Sequence, residues 1–372
     1  MTDFTPDYDN ILKDVPTGLL LGGEFRPASN GETFDVVNPA TDKPLVQVAS
    51  ATEEDARQAL DDAVAAQKEW KVTPPRKRSE ILYRAFELIR RDADKLAQLQ
   101  SLEMGRALPD SKAEVGYGGE FFRWFAEEAV RISGDYRISP SGTSRVAVIK
   151  QPVGPALAIT PWNFPLAMGT RKIAPALAAG CPVIIKPASK TPLTMLYLGK
   201  LLIEAGVPAG VISVLPTGHS ANVSALLSDD RLRKFTFTGS TEVGQMLAAK
   251  AAETSMKVSL ELGGNAPFVI LSDGDVDKAV QAVSDAKLRN GGQVCIAPNR
   301  FIVHESKKDA FVEGVVKRFA ELKLGEGTDP ATDLGPLALR DQQEKVRDLV
   351  DDAVKRGAKV ELSLIHISEP TR

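Results

Sequence analysis

With 372 residues, 43% of them hydrophobic and 26% charged, the chain has the composition of a globular protein with room for about two domains. A net charge of −3, with no Lys/Arg run and no apolar run long enough for a bilayer, predicts neither nucleic acid nor membrane as a partner. Two cysteines and an acidic N-terminus without a signal pattern indicate a cytoplasmic location, and three scattered histidines predict no metal site.

The first 132 residues are predicted to begin with extended pieces and to continue as helices. Gly, Pro and Asn turn signals separate short strand-like pieces in residues 1–50. Thr52, followed by three acids, is typical of a helix start, and the apolar pattern behind it continues to Trp70. Two prolines interrupt this pattern, and further helices are expected within residues 76–104 and 115–132.

Residues 133–150 have a more polar composition that favours β-structure. Two strand patterns, at 135–138 and 145–149, flank a Ser-Pro-Ser-Gly turn at 139–142, which predicts a β-hairpin. Because it interrupts a helical run, this hairpin is expected to protrude and to serve as a contact surface.

From residue 155 strands and helices alternate strictly. Strand patterns lie at 156–160, 182–186, 211–215 and 234–238, and helix patterns lie at 166–179, 191–205, 219–227 and 241–253. Apolar strands joined by crossover helices predict a doubly wound parallel sheet that is covered on both faces. Such sheets bind ligands in the crevice beyond the carboxyl ends of their strands.

Polar residues follow several of these strands, where a ligand would bind. Lys186 ends a buried strand, where an ammonium group needs an anionic or polar partner. The predicted helix start at Ser240 offers free N–H groups to phosphate oxygens. The spacing from Gly239 to Gly244 is not the usual dinucleotide fingerprint and is equally compatible with a turn and close helix packing. Together these groups predict a nucleotide lying across the crevice.

Glu261 and Cys295 are the candidate reactive groups. Leucines flank Glu261 in a strand-like run, so its carboxylate is expected near apolar surroundings; a buried acid paired with a lysine or a backbone N–H is the alternative. Cys295 lies between a helix predicted at 276–288 and a strand predicted at 300–304. Its thiol is either a nucleophile or a small buried hydrophobic group. A hydrolase that uses Cys295 with His304 leaves the polar strand ends unexplained.

Five motifs, in this order, resemble the signatures of the NAD(P)-dependent aldehyde dehydrogenases, and among them most closely the succinate-semialdehyde dehydrogenases. They are Thr-Pro-Trp-Asn-Phe-Pro at 160–165, Lys-Pro-Ala-Ser at 186–189, Phe-Thr-Gly-Ser-Thr at 237–241, Leu-Glu-Leu-Gly-Gly at 260–264 and Gly-Gln-Val-Cys at 292–295. The resemblance covers about residues 15 to 362. It implies an α/β fold with a doubly wound cofactor domain at residues 1–132 and 151–258, an oligomerisation hairpin at 133–150 and an α/β catalytic domain at 259–362.

The resemblance also implies the reaction, which is oxidation of an aldehyde to the carboxylic acid with reduction of NADP or NAD. Cys295 would attack the aldehyde carbon, and the Asn163 side-chain amide with the Cys295 backbone N–H would hold the developing oxyanion. Glu261 would act as the general base on the water that hydrolyses the resulting thioester. Residue 297, where some relatives have a second cysteine, is alanine, so a redox switch at this position is not expected.

Further residues match positions that bind the cofactor and the substrate. The cofactor would contact Trp162, Lys186, Ser189, Gly239, Ser240 and Leu262. NAD-restricted members carry an acid where this chain has Ser189, so NADP should be tolerated or preferred. Arg171 and Arg289 match two arginines that bind the distant carboxylate of the substrate, and Phe164 would line its tunnel. A surface or capping arginine is the alternative at both arginine positions.

Residues 363–372 resemble nothing in the family, whose members continue with more of the catalytic domain. We therefore expect a truncated reading frame with a foreign tail, an incomplete catalytic domain, low or no activity and a tendency to aggregate. Full-length relatives are homo-oligomeric, but because the catalytic domain is expected to be incomplete, assembly of this chain is doubtful. The alternative to an active enzyme is an inactive remnant that retains at most nucleotide binding.

Overall fold

The computed structural model of the protein describes residues 6–362. The expected foreign tail, residues 363–372, lies outside the described residues. Up to residue 150 the helices and strands are α1 (Tyr8–Leu12), β1 (Leu19–Leu21), β2 (Glu24–Arg26), β3 (Thr33–Asn38), β4 (Lys43–Ala49), α2 (Glu53–Trp70), α3 (Pro75–Arg91), α4 (Ala93–Met104), α5 (Leu108–Ala129), β5 (Asp135–Ile138) and β6 (Arg145–Val148). From residue 151 they are β7 (Ala156–Ile159), α6 (Ala167–Ala178), β8 (Val183–Lys186), α7 (Leu193–Ala205), β9 (Ile212–Val214), α8 (Ser220–Ser224), β10 (Lys234–Gly239), α9 (Thr241–Ala252), β11 (Lys257–Leu262), β12 (Ala266–Ile270), α10 (Val276–Leu288), β13 (Pro298–Val303), α11 (Glu305–Ala320) and α12 (Arg340–Lys355).

The helices before the hairpin begin where local chemistry permits it. Helix α2 has a reciprocal capping box, in which the Thr52 hydroxyl accepts from the Asp55 N–H while the Asp55 carboxylate accepts from the Thr52 N–H. Helix α5 begins at Leu108 rather than at residue 115, so its predicted start is wrong. Proline at the start of a helix removes an N–H that would have no partner there, and Pro109 occupies such a position. The predicted hairpin is confirmed, with β5 and β6 paired antiparallel.

The main sheet has seven strands in the order β11-β10-β7-β8-β9-β1-β2. The five strands from β11 to β9 are parallel. Four of them, β7 to β10, were predicted as a parallel sheet, whereas β11 was not placed in it. The antiparallel pair β1 and β2 extends this sheet at one edge, with Leu20 opposite Val214. The sequence indicated extended pieces here but not their partner. All three residues of β1 are buried, so joining the sheet removes this apolar segment from water.

Successive side chains of the parallel strands enter apolar clusters on opposite faces of the sheet. Leu157 packs with Phe235 in one cluster, whereas Ala158, the next residue in β7, lies in the other with Phe122. This alternation follows from the two-residue period of a strand. A sheet covered on both faces, as predicted, leaves its carboxyl edge as the place for a ligand.

A smaller α/β unit follows the main sheet. Strands β12 and β13 pair parallel, and Phe268 and Phe301 pack with α10 and α11 around Val283 and Phe311. Strand β11 pairs along its length with β10, so the expected division between residues 258 and 259 falls inside a strand of the main sheet. The division into domains stays a prediction. No helix within residues 6–362 has the length and apolarity needed to cross a membrane.

Candidate active site

Asn163 lies in the segment that joins β7 to α6, beyond the carboxyl end of the strand. Its side-chain Nδ2 donates to the backbone oxygen of Gln293 at 2.9 Å. Its Oδ1 is buried and has no hydrogen-bond partner among the described residues. The bond to Gln293 joins this segment directly to the loop that carries Cys295.

The Cys295 loop leaves α10 through three successive residues with positive φ. Asn290, Gly291 and Gly292 have φ values of 51°, 61° and 76°, a backbone region that glycine and asparagine tolerate best. The turn brings Val294 against an apolar cluster that contains Phe164 and Met168. Cys295 itself is exposed, whereas Cys181 is buried. The description of Cys295 as a small buried hydrophobic group is therefore wrong, and its thiol is accessible to a substrate.

Glu261 is near the end of β11, on the face of the strand that alternates with its leucines. It is exposed, so the expectation of apolar surroundings is wrong, because the two-residue period directs only its leucine neighbours towards the core. The segment that follows reaches the Cys295 loop, since a β-carbon placed on Gly264 would lie 3.8 Å from the Cys295 carbonyl oxygen. The segments of Asn163, Glu261 and Cys295 therefore adjoin one another at one end of the sheet.

Lys172 shares a cavity with Glu261, and sequence reasoning assigned it no role. Its ammonium is buried and donates to the Thr236 hydroxyl at 2.9 Å. Burial, with a further contribution from the neighbouring Arg171 guanidinium, lowers the pKa of Lys172 to about 8, against an opposing effect of the Glu261 carboxylate. The cavity, about 340 Å³ in volume, is lined by Arg171, Lys172, Thr236 and Glu261 among others. The only sequence signal for it was a lysine at an otherwise apolar helical position.

The residues predicted to bind a nucleotide lie at the carboxyl ends of the parallel strands. Lys186, at the end of β8, is buried, and its Nζ has one protein acceptor among the described residues, the Pro187 carbonyl oxygen at 3.4 Å. Burial lowers the pKa of Lys186 to about 8. An ammonium so weakly partnered fits an anionic or hydroxyl-bearing ligand.

The other predicted cofactor residues surround the same edge. Ser240 caps α9, accepting from the Val243 N–H at 3.4 Å, and it directly follows the carboxyl end of β10. A β-carbon on Gly244 would lie 2.6 Å from Leu262 Cδ2, so close packing explains this glycine. Trp162 follows β7, and its carbonyl accepts from the Thr191 hydroxyl at 3.3 Å. Ser189 and Gly239 are half-buried at the ends of β8 and β10.

The three residues predicted to contact the substrate have aromatic or cationic neighbours. Phe164 is buried, and the guanidinium of exposed Arg289 lies 5.0 Å from its ring centroid. Arg171 donates to the Tyr117 hydroxyl and lies 5.3 Å from the ring centroid of Phe121. Arg289 is thus beside the Cys295 loop, and Arg171 is in the cavity with Glu261. Arg289 is the C-cap residue of α10, whereas Arg171 lies within α6.

A buried polar cluster behind Asn163 was missed by sequence reasoning. It consists of Arg106, Glu114 and Asn290, which are 3%, 1% and 2% exposed. Its members lie just before α5, in the second turn of α5 and just after α10. No motif joins positions so far apart, and the one available signal was the pair of opposite charges at positions 106 and 114.

An open parallel sheet with a weakly partnered lysine at its carboxyl edge is typical of a nucleotide-binding enzyme. Beside this edge a carboxamide is bonded to the loop that carries an exposed thiol. The family model described as "Aldehyde dehydrogenase family" matches residues 25–366. The chain therefore belongs to the aldehyde dehydrogenase family. The matched range ends four residues beyond the boundary expected at residue 362.

Individual relatives agree with this assignment. The succinate-semialdehyde dehydrogenase of Paenarthrobacter nicotinovorans is 49% identical over 315 residues, which are 84% of this chain and 70% of the relative. The succinate-semialdehyde dehydrogenase [NADP(+)] GabD of Escherichia coli K12 is 44% identical over 92% of this chain and 71% of its own. The crystal structure of succinate-semialdehyde dehydrogenase from Burkholderia pseudomallei superposes with a TM-score of 0.91 at 41% identity, covering 93% of this chain and 72% of that one.

Proposed function

We propose that the protein oxidises a short aldehyde that carries a carboxylate, with succinate semialdehyde as the candidate, to the corresponding acid. Family membership and the names of the similar proteins support the reaction and this substrate class. The single observation that carries the proposal is the meeting of the Asn163 amide with the loop of exposed Cys295, through the bond to Gln293 O. A carboxamide held against the loop of an exposed thiol can stabilise the oxyanion that forms when sulfur adds to a carbonyl group.

In the proposed reaction the Cys295 thiolate attacks the aldehyde carbon and forms a tetrahedral adduct. The second N–H of the Asn163 amide, which has no protein acceptor among the described residues, and the Cys295 backbone N–H stabilise the negative oxygen. When bound, the nicotinamide cofactor supplies the acceptor for the hydride, and a thioester remains on Cys295. Glu261 removes a proton from the water that hydrolyses this thioester, a role that its exposure permits.

NADP or NAD is the proposed cofactor. Trp162, Lys186, Ser189, Gly239, Ser240 and Leu262 would hold it. The buried Lys186 ammonium supports this assignment, since its weak protein acceptor leaves it free to donate to ribose hydroxyl groups. A serine at position 189, without a carboxylate to repel a 2′-phosphate, favours NADP or at least permits it.

Arg171 and Arg289 are the proposed ligands of the substrate carboxylate, and Phe164 lines the path between solvent and Cys295. The Arg171 Nε is buried without a partner, although its terminal nitrogen donates to Tyr117. A guanidinium that is partly unsatisfied suits an incoming carboxylate.

A second candidate function is nucleotide binding without turnover. It is favoured by the small sheet of β12 and β13, which has only two strands among the described residues and exposes Val269 and Ile302. Cofactor titration with and without aldehyde separates the two candidates, because binding without reduction supports only the second. We further propose a cytoplasmic location and a contact surface on the hairpin, where Tyr136 and Ile138 are among the exposed apolar residues.

The test of the proposed function is a comparison of steady-state rates. We expect kcat/KM with NADP to be higher for succinate semialdehyde than for a neutral aldehyde of equal chain length, and a Cys295→Ala variant to show no reduction of cofactor. Replacing Arg171 by methionine should remove the preference between the two aldehydes. A wild-type preference for the neutral aldehyde would remove both arginines from the substrate site.

A further inference from the structure

The strongest unexplained feature is the buried cluster of Arg106, Glu114 and Asn290, named here the Arg106 cluster. At one end Glu114 accepts from the backbone N–H groups of Leu166 and Ala167 at 2.9 and 2.8 Å. These are the first N–H groups of α6, which otherwise lacks a side-chain cap. Glu114 therefore holds the end of the segment that carries Asn163.

Arg106 balances the charge of Glu114 and extends the cluster towards Asn163. The two side chains form an ion pair with exposures of 1% and 0%. A second nitrogen of Arg106 donates to the backbone oxygen of Asn163, and its Nε donates to Asn290 Oδ1 at 3.0 Å. Because a buried charge without its partner costs several kcal/mol, each member depends on the others.

Asn290 connects this cluster to the Cys295 loop. Its Nδ2 donates to Asn163 O at 3.0 Å and to Gln293 O at 3.2 Å. Gln293 O is also the acceptor of the Asn163 side-chain amide, at 2.9 Å. Arg106 and Asn290 thus hold the carbonyl oxygen of Asn163. The side chain of Asn163 is held by Gln293 O, to which Asn290 also donates.

We propose that Arg106, Glu114 and Asn290 are positioning residues, which hold the Asn163 amide in place relative to the loop of Cys295. This inference rests on the proposed function. None of the three side chains has a described hydrogen bond to Cys295, and all three act through Asn163. Oxyanion donors work only within a few tenths of an ångström of the correct place, so a small displacement of this segment lowers the rate without abolishing binding.

Position 290 allows a variant that leaves the backbone unstrained. Asn290 has a φ of 51°, which glycine adopts at no steric cost. The change Asn290→Gly therefore removes the side-chain bonds to Arg106, Asn163 and Gln293 while the left-handed turn is kept. Most other residues at this position would strain the turn and confuse the result.

Glu103 is a matched control for Glu114. It is 2% exposed, and at the start of α7 its carboxylate accepts from the N–H groups of Leu193 and Thr194 at 2.7 and 3.0 Å. Glu103→Gln and Glu114→Gln each weaken a buried carboxylate cap, but only Glu114 is joined to Asn163. Both variants should lose thermal stability, which separates a loss of folding from a loss of positioning.

The first experiment is a double-mutant cycle on the full-length protein, with kcat and KM measured at saturating cofactor. We expect Asn290→Gly and Glu114→Gln to lower kcat by about tenfold or more with KM for the aldehyde changed by less than about threefold, and Glu103→Gln to keep kcat. In an Asn163→Ala background, Asn290→Gly should lower kcat by less than about twofold. A tenfold effect that persists without the Asn163 amide would overturn the inference.

The second experiment does not depend on turnover. Hydrogen–deuterium exchange of peptides that cover residues 160–167 and 288–296 should be faster in Asn290→Gly and Glu114→Gln than in wild type, and unchanged in Glu103→Gln. Unchanged exchange in all three variants would reject the positioning role even if the protein has no aldehyde activity. If the wild-type protein has no aldehyde activity but both variants still exchange faster than it does, only the proposed function is refuted.

Discussion

Replacing Asn163 by alanine should separate activity from stability. The substitution removes the Nδ2 bond to Gln293 O, which is worth about 0.5–1.5 kcal/mol in a folded protein. It also removes the buried Oδ1, whose lack of a partner costs about 1–3 kcal/mol. These two changes in the free energy of unfolding have opposite signs. The variant should therefore be as stable as wild type to within about 1 kcal/mol, or slightly more stable.

The effect on catalysis should be large. Loss of one oxyanion donor lowers kcat by about 10²–10³, or roughly 3–4 kcal/mol of transition-state stabilisation. The assay is the aldehyde-dependent appearance of reduced nicotinamide at saturating substrate, combined with denaturant unfolding of the same preparation. Under the proposed function, Asn163 with its unsatisfied buried Oδ1 is an example of local instability retained for activity.

Asn163→Asp is the matched variant, since it keeps the shape of the side chain. A carboxylate cannot donate to Gln293 O, so the aspartate either places one of its oxygens against this acceptor or turns away from it. The variant should therefore be less stable than Asn163→Ala. The reasoning is refuted if Asn163→Ala loses more than about 2 kcal/mol of stability, or if its kcat stays within about threefold of wild type.

Three further predictions concern the cavity beside Glu261. Glu261→Gln should slow hydrolysis of the thioester, so that rapid mixing shows a burst of one equivalent of reduced cofactor followed by a slow steady state. A burst slowed as much as the steady state would contradict the role of Glu261 as the base. The pKa of Lys172 is about 8 in the folded protein against 10.5 for a free lysine. Between these pH values the unfolded chain therefore binds more protons than the folded one. The free energy of unfolding should rise with pH over this range, by up to about 3 kcal/mol. In Lys172→Met this rise in the free energy of unfolding between pH 8 and 10.5 should be absent, as measured by denaturant titration at the two pH values. The same rise in the variant as in wild type would refute the prediction. Tyr117→Phe removes the hydroxyl that binds Arg171 and should raise KM two- to tenfold for the carboxylated aldehyde only, by roughly the value of one hydrogen bond; an equal change for a neutral aldehyde would show a general loss of shape.

Much of the fold could be predicted because it depends on neighbours along the chain. Helix α10 was predicted at 276–288 and occupies Val276–Leu288, since its apolar period and the glycines behind it are local signals. The parallel strands were found in the same way, from apolar runs separated by helical patterns. The position of β1 in the sheet was not predicted, because its pairing with β9 joins segments that lie far apart in the chain.

The sequence by itself determined the motifs and the family, and it predicted the chemistry of Asn163, Glu261 and Cys295, because each of these is written in a few consecutive residues. Only the tertiary structure decided that Glu261 is exposed and that Arg106 bonds Asn290, 184 positions away. Contacts at such separations carry no periodic signal, since they follow from how whole helices and strands pack. The proposed catalytic residues can therefore be read from the chain, whereas the buried side chains that hold them in place are visible only after folding.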